Sequence, residues 1–152
     1  MKQITIAQWH KMPDRSKDWL IVKTLGFFVE VFWHVDVNGV YSSGSYHTES
    51  HARAVLNYKP NKYPKNARVA RSLCYWCVTT VPNCANSVVE EMLKRGWRCT
   101  LDFNPPHLPD GFKTACFYQN PDKRFWFDDA SMEKAICAAA LQAMGQMQLY
   151  PF

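Results

Sequence analysis

The chain predicts an α+β fold: an N-terminal β-hairpin/sheet plus helix, followed by a helix–three-stranded antiparallel sheet–helix sandwich. Three observations carry this expectation. Ala85–Lys94 repeats apolar residues at helical spacing, Trp97–Phe103 alternates strictly, and Asn38-Gly39 stands between two β-rich runs. Helix, sheet and helix, each with one apolar face, bury those faces only by stacking in layers.

Taken in order, Trp19–Lys23 and Phe27–Val37 are β-rich, with Gly26 between them. Asn38-Gly39 is the strongest short hairpin signal and joins Val31–Val37 to Val40–Tyr46. Thr48 is placed to cap a short helix over about 49–57. Pro60 and Pro64 end that helix and set a linker, Lys59–Asn66. Val69, Ala70, Leu73, Cys74 and Cys77 then fall on one helical stripe, so a helix is expected over about 68–78.

The second half is the more regular. Ala85, Val88, Val89, Met92 and Leu93 share a helical face, Ser87 and Glu90 are spaced as a capping box, and Gly96 follows as a C-terminal cap. Trp97, Cys99, Leu101 and Phe103 alternate with Arg98, Thr100 and Asp102, the pattern of a half-buried strand. Phe112–Gln119 and Arg124–Asp128 read as two more strands. Met132–Met144 closes the series as a helix with Ile136, Cys137, Ala140, Leu141 and Met144 on one face, ending at Gly145. The expected modules are residues 1–60, β-rich, and 61–152, the α/β sandwich; the two can pack as a single domain.

The order and wording of the second half resemble a known family. Val81-Pro82-Asn83 leading into a helix, Gly96-Trp97 ending it, a short meander, and Ala130-Ser-Met-Glu-Lys-Ala-Ile-Cys-Ala-Ala-Ala-Leu141 are similar to the phage ABA sandwich domain. The resemblance spans about residues 68–145 and rests on packing motifs. It implies a helix–sheet–helix fold and a bacteriophage or prophage origin. Related sequences often carry a basic residue after the Ile-Cys pair of the last helix, where this chain has Ala138. A weaker, local resemblance concerns residues 27–58. Gly44-Ser-Tyr-His-Thr48 followed by His51-Ala52-Arg53-Ala54 is similar to the strand-to-helix junction of Apetala-type β-β-β-α DNA-binding modules. In such modules the sheet enters the major groove. The outward candidates here, Glu30, His34, Asp36 and Ser42, include two acids, which opposes approach to DNA.

Bulk composition narrows the function classes. Of 152 residues, 47% are hydrophobic, 14% aromatic and 20% charged, the balance of a globular chain rather than a disordered one. No apolar run reaches the about 18 residues of a membrane span, and the N-terminus carries no signal-peptide pattern. Six cysteines without a secretion signal are expected as reduced thiols in a cytoplasm. The net charge is +5, and no acidic residue lies between Glu49 and Glu90. Arg53, Lys59, Lys62, Lys65, Arg68 and Arg71 fall in that stretch, the last five every third residue. It is either a solvated connector or an anion-binding patch.

Catalytic and metal motifs are weighed and set aside. Cys74-Tyr-Trp-Cys77 with Cys84 and Cys99 lacks the second close pair of a four-cysteine zinc site. It also lacks the βαβ context of a thiol oxidoreductase. His47 and His51 are four apart but lack the Glu of a metalloprotease helix. Asp128-Asp129 precede the last helix, where acids suit the positive end of the dipole. Neither a nucleophile elbow nor a phosphate-cradling glycine loop occurs, so no enzyme, cofactor or metal is expected. What remains is a binding protein, with Arg98, Tyr118, Arg124 and Trp126 around the meander, and Lys62, Lys65, Arg68 and Arg71 in the basic stretch, as ligand-binding candidates. Arginine with an aromatic ring is a recipe for holding a nucleotide. The expected function is that of a phage-encoded homo-oligomer in the host bacterial cytoplasm, sequestering an anionic, nucleotide-derived defence signal. The alternatives are a nucleic-acid-binding or nucleoprotein-blocking factor, and a protein–protein adaptor inhibiting a host factor.

Overall fold

The computed structural model describes residues 2–58 and 62–148. Among them are five helices and two three-stranded antiparallel sheets, a mixed α+β chain as expected. The chain divides into two compact units, Phe28–Tyr75 and the remainder, in which the chain up to Phe27 joins the chain from Trp76 onward. The expected boundary at residue 60 is therefore displaced. Residues 61–75 belong with the N-terminal hairpin, because the strand that follows the linker returns to pair with it.

In the inserted unit, β1 (Glu30–Val37) and β2 (Val40–Tyr41) form the predicted hairpin. Asn38 and Gly39 both take positive φ, 53° and 82°, as a two-residue hairpin turn matching the strand twist requires. The second strand is shorter than expected; beyond it the Ser42 N–H donates to Val35 O at 2.9 Å and an isolated bridge joins Trp33 to Tyr46. Thr48 Oγ1 accepts from the His51 N–H at 3.2 Å and caps α3 (Glu49–Tyr58), as anticipated. The helix expected over 68–78 is instead β3 (Arg68–Cys74), antiparallel to β1 in the register Val35–Val69 and Val31–Leu73. Residues four apart share a face in a helix and in a strand alike, so Val69 with Leu73 and Ala70 with Cys74 fitted either, and pairing with β1 decided, sending the two pairs to opposite faces. The unit runs β–β–α–β, whereas the Apetala-type resemblance implied β–β–β–α.

The larger unit begins with two helices where strands were expected or nothing was foreseen. Thr5 and Gln8 form a reciprocal capping box for α1 (Ile6–Lys11), which buries Trp9 completely. Trp19–Lys23, read as β-rich, lies inside α2 (Asp14–Leu25). Its buried stripe is Lys17, Asp18, Ile21, Val22 and Leu25, at helical spacing but with two charges in it. Lys17 Nζ sits 3.7 Å from Asp14 and 5.2 Å above the Trp9 ring. Asp18 accepts from the Thr79 N–H at 2.9 Å and from its hydroxyl at 2.7 Å. Gly26, φ 72°, ends α2 while the Phe27 N–H donates to Val22 O at 2.9 Å.

The sandwich follows. Helix α4 (Pro82–Lys94) starts three residues earlier than expected, with Pro82 at its first position. The Ser87/Glu90 capping box is thereby overturned: Ser87 lies inside the helix, and its hydroxyl donates to Asn83 O at 3.4 Å. Gly96, φ 87°, does end it, with the Trp97 N–H donating to Met92 O at 3.1 Å. Strands β4 (Arg98–Asp102), β5 (Lys113–Asn120) and β6 (Lys123–Asp129) make one sheet in that order. Helix α5 (Met132–Ala143), capped by Ser131, packs on β5 and β6 and against α4 and α2. It is buried nearly all round, from Met132 and Ala135 through Gln142, beyond the single face anticipated. Its small alanines let the sheet and two helices approach it together. Phe117, Phe127, Val88, Met92 and Leu141 complete that core.

Candidate functional site

Because strand side chains alternate, burying Ala115, Phe117 and Phe127 under the helices turns the residues between them, and their cross-strand partners, to the opposite face. Antiparallel register then arranges that face in rows. Arg98 pairs with Tyr118 and Tyr118 with Arg124; Thr100 with Cys116 and Cys116 with Trp126; Asp102 with Thr114 and Thr114 with Asp128. Three of the four meander candidates thus form one transverse row about 10 Å wide, and Trp126 stands in the next row beside Arg124. The fourth is still on that face.

The row is accessible and asymmetric. Arg98 and Arg124 are exposed, Tyr118 is half-buried, and Trp126 keeps 36% of its surface exposed. Among the described residues neither Arg98 nor Arg124 enters an ion pair, whereas Arg15, Arg53, Arg68 and Arg95 do. A shallow depression of about 530 Å³ is lined by Arg98, Thr100, Tyr118, Asn120, Pro121 and Arg124. A second, of about 570 Å³, shares Thr100, Pro121 and Arg124 and continues past Trp126 to Asp102 and His107. The face is therefore basic at one end and acidic at the other, with aromatic surface between. At the acidic end Thr114 donates to Asp128 Oδ1 at 2.6 Å.

Phe125 and Phe127 behave as the core of the sheet. Phe127 is fully buried, and Phe125 meets Trp97 edge-on at 5.6 Å. The two adjacent acids separate: Asp128 faces the trough, while Asp129 accepts from the Ser131 N–H at 3.0 Å just before α5, the role expected of both. Thr100, Asp102 and His107 were not singled out in the sequence. The strand alternation did contain the signal for the first two, and nothing did for His107, which a loop delivers.

The basic stretch lies in the other unit and does not form one patch. Lys62 sits 5.5 Å over the Tyr63 ring, and Lys65 is exposed in a turn. Lys59 falls outside the described residues. Arg68 is held by Asp36 at 3.3 Å, and Arg71, three residues on, faces the opposite side of β3. Spacing of three suits one helical face and divides a strand. Of the DNA-facing candidates, His34 and Asp36 are buried, the first stacked on Tyr41 at 3.6 Å.

The cysteine and histidine motifs are dispersed as well. Cys74 is exposed in β3, and Cys77 lies in the larger unit, where its Sγ accepts from Arg15 at 3.8 Å. His47 meets Phe32 and His51 meets Tyr46, at 5.4 and 4.4 Å between rings. Among the described residues no group of three or more His, Cys, Asp or Glu could hold a metal ion, and no helix is long and apolar enough to cross a membrane. No protein-family model, curated protein or solved structure matches the chain.

Proposed function

We propose that this protein is a non-enzymatic binder of an anionic, nucleotide-like ligand, held on the helix-free face of the β4–β5–β6 sheet. The observation that carries the reading is the Arg98–Tyr118–Arg124 row with Trp126 beside it. Two guanidinium groups flanking one phenol offer forked donors to phosphate oxygens. Trp126 offers a ring for a base to stack on. Following the resemblance to phage ABA sandwich domains, its role is counter-defence in the host bacterial cytoplasm, sequestering a nucleotide-derived signal as a homo-oligomer.

Titration calorimetry against nucleoside monophosphates and cyclic mono- and dinucleotides tests this. At least one is expected to bind, and Arg124→Ala is expected to weaken it by roughly tenfold or more, since a bond to a charged group contributes on the order of 1.5–3 kcal/mol. Folded protein that gives no heat with any of them sinks the reading.

A second reading, nucleic-acid binding through Lys62, Lys65, Arg68 and Arg71, draws on the absence of acids between Glu49 and Glu90. It requires affinity to fall steeply between about 50 and 200 mM salt, whereas a single nucleotide at the arginine row responds far less.

A further inference from the structure

We infer that β4 is the seam of a homodimer, two copies pairing antiparallel along this edge to make one six-stranded sheet. The sheet has two edges, β4 and β6, and they differ. In β6 three of seven residues, Lys123, Arg124 and Trp126, are exposed, while Phe127 is fully buried, Asp128 and Asp129 are half-buried, and His10 of α1 lies 5.7 Å from the Phe127 ring. In β4, four of five residues are exposed and only Cys99 is half-buried. An open edge of this kind presents unpaired N–H and C=O groups, and soluble proteins cover it, blunt it or use it.

The sequence of the edge is complementary to itself. A two-fold axis through Thr100 places Arg98 of one copy opposite Asp102 of the other, twice over. On the other face the same register sets Cys99 against Leu101 and, just beyond the strand, Trp97 against Phe103. Leu101 and Phe103 are 37% and 62% exposed, so this register covers apolar surface that the single chain leaves open. Slipping the register by two residues sets Arg98 against Asn104 or Thr100 and leaves the charges unmatched. Opposite charges directly across a strand pair stabilise it, and a two-fold contact has to be self-complementary in this sense. The occupant of the edge is therefore a second copy of this chain.

Pairing also runs the two ligand-binding faces into one surface. The partner's carboxylate takes one side of the Arg98 guanidinium, leaving Arg124 and Tyr118 as the principal ligand contacts. The dimer stands without the ligand reading, since its test needs no ligand.

Sedimentation of the full chain at low and high salt is the experiment, with Arg98→Asp, Asp102→Arg and the double exchange. The wild type is expected to be a dimer that salt weakens. Each single change places like charges opposite each other and weakens dimerisation by roughly tenfold or more; the double exchange restores it. A monomeric wild type at high micromolar concentration, single variants that dimerise like the wild type, or a double exchange that stays monomeric overturns the inference. Hydrogen exchange on the wild type gives a readout independent of variant folding. Outward amides of β4 must become more protected as protein concentration rises, and protection that ignores concentration is equally fatal.

Discussion

A thiol in water ionises near pH 8.5, and two of the six here are held far from that. Cys99 is pushed up to about 11, by burial first and by neighbouring Cys116 second. Cys137 is raised as well, by complete burial first and then by Asp18 and Glu133; its Sγ lies 3.5 Å from Val78 O. A raised thiol pKa keeps the proton on below that value, so at pH 8 about one Cys99 in a thousand is thiolate. In native protein a disulfide reagent is expected to modify exposed Cys74 first. Cys99 and Cys137 are expected to stay unmodified from about pH 7 to about pH 9 until denaturant is added. Mass mapping of the labelled peptides checks this, and rapid native labelling of Cys99 would refute the packing described for β4. The sequence already pointed to this inertness, because apolar alternation put Cys99 on the inner face with Trp97 and Leu101.

Elements were legible where only one period fits. Trp97–Phe103 alternates and Ala85–Lys94 does not, and the two are a strand and a helix, with the bounds moved to Arg98–Asp102 and Pro82–Lys94. Helix α2 was hidden because Leu20-Ile21-Val22 is an unbroken apolar run, which a strand and a buried helix share. Its true stripe includes Lys17 and Asp18, charges that sequence reasoning assigns to the surface. Their partners, the Trp9 ring and Thr79, are supplied only by the fold. Turn chemistry was the more reliable guide, since it is local. Gly39 at φ 82° has nothing within 4 Å of an added Cβ, so Gly39→Ala meets a backbone penalty without a clash. The change is expected to cost about 1 kcal/mol. It should appear as faster hydrogen exchange in β1 and β2, with α5 unchanged. Slower exchange in the hairpin would mean the turn is not the one described.

At the scale of the whole molecule the inserted unit contributes none of the four meander residues of the candidate site. Arg98, Tyr118, Arg124 and Trp126 all belong to the larger unit, and its chain leaves at Phe27 and returns at Trp76 with the two rings 5.5 Å apart. A few glycine and serine residues can span that gap in place of residues 28–75. The shortened protein is expected to unfold cooperatively and to keep any nucleotide affinity of the parent; non-cooperative unfolding would show that the units depend on each other. The grouping of Arg98, Tyr118 and Arg124 could be anticipated from strand alternation. Their alignment in one row could not, because register depends on the turns between strands and on the irregularity between Tyr118 and Asn120.

The insertion also imposes an order on synthesis. Trp9, Ile21 and Leu25 leave the ribosome first, yet the residues they bury against lie on α4, α5 and the sheet. The hairpin unit is complete once Tyr75 has emerged and can fold within a nascent chain. The first two helices have to wait, apolar stripe uncovered, for the last helix. The Ile4 N–H donates to Gln146 O at 3.0 Å and the Gln148 N–H to Ile4 O at 2.9 Å, a pairing that closes only once the segment after α5 has been made. Until those later residues have been made, Trp9, Ile21 and Leu25 have no core to enter, and a chaperone can hold that segment in the meantime.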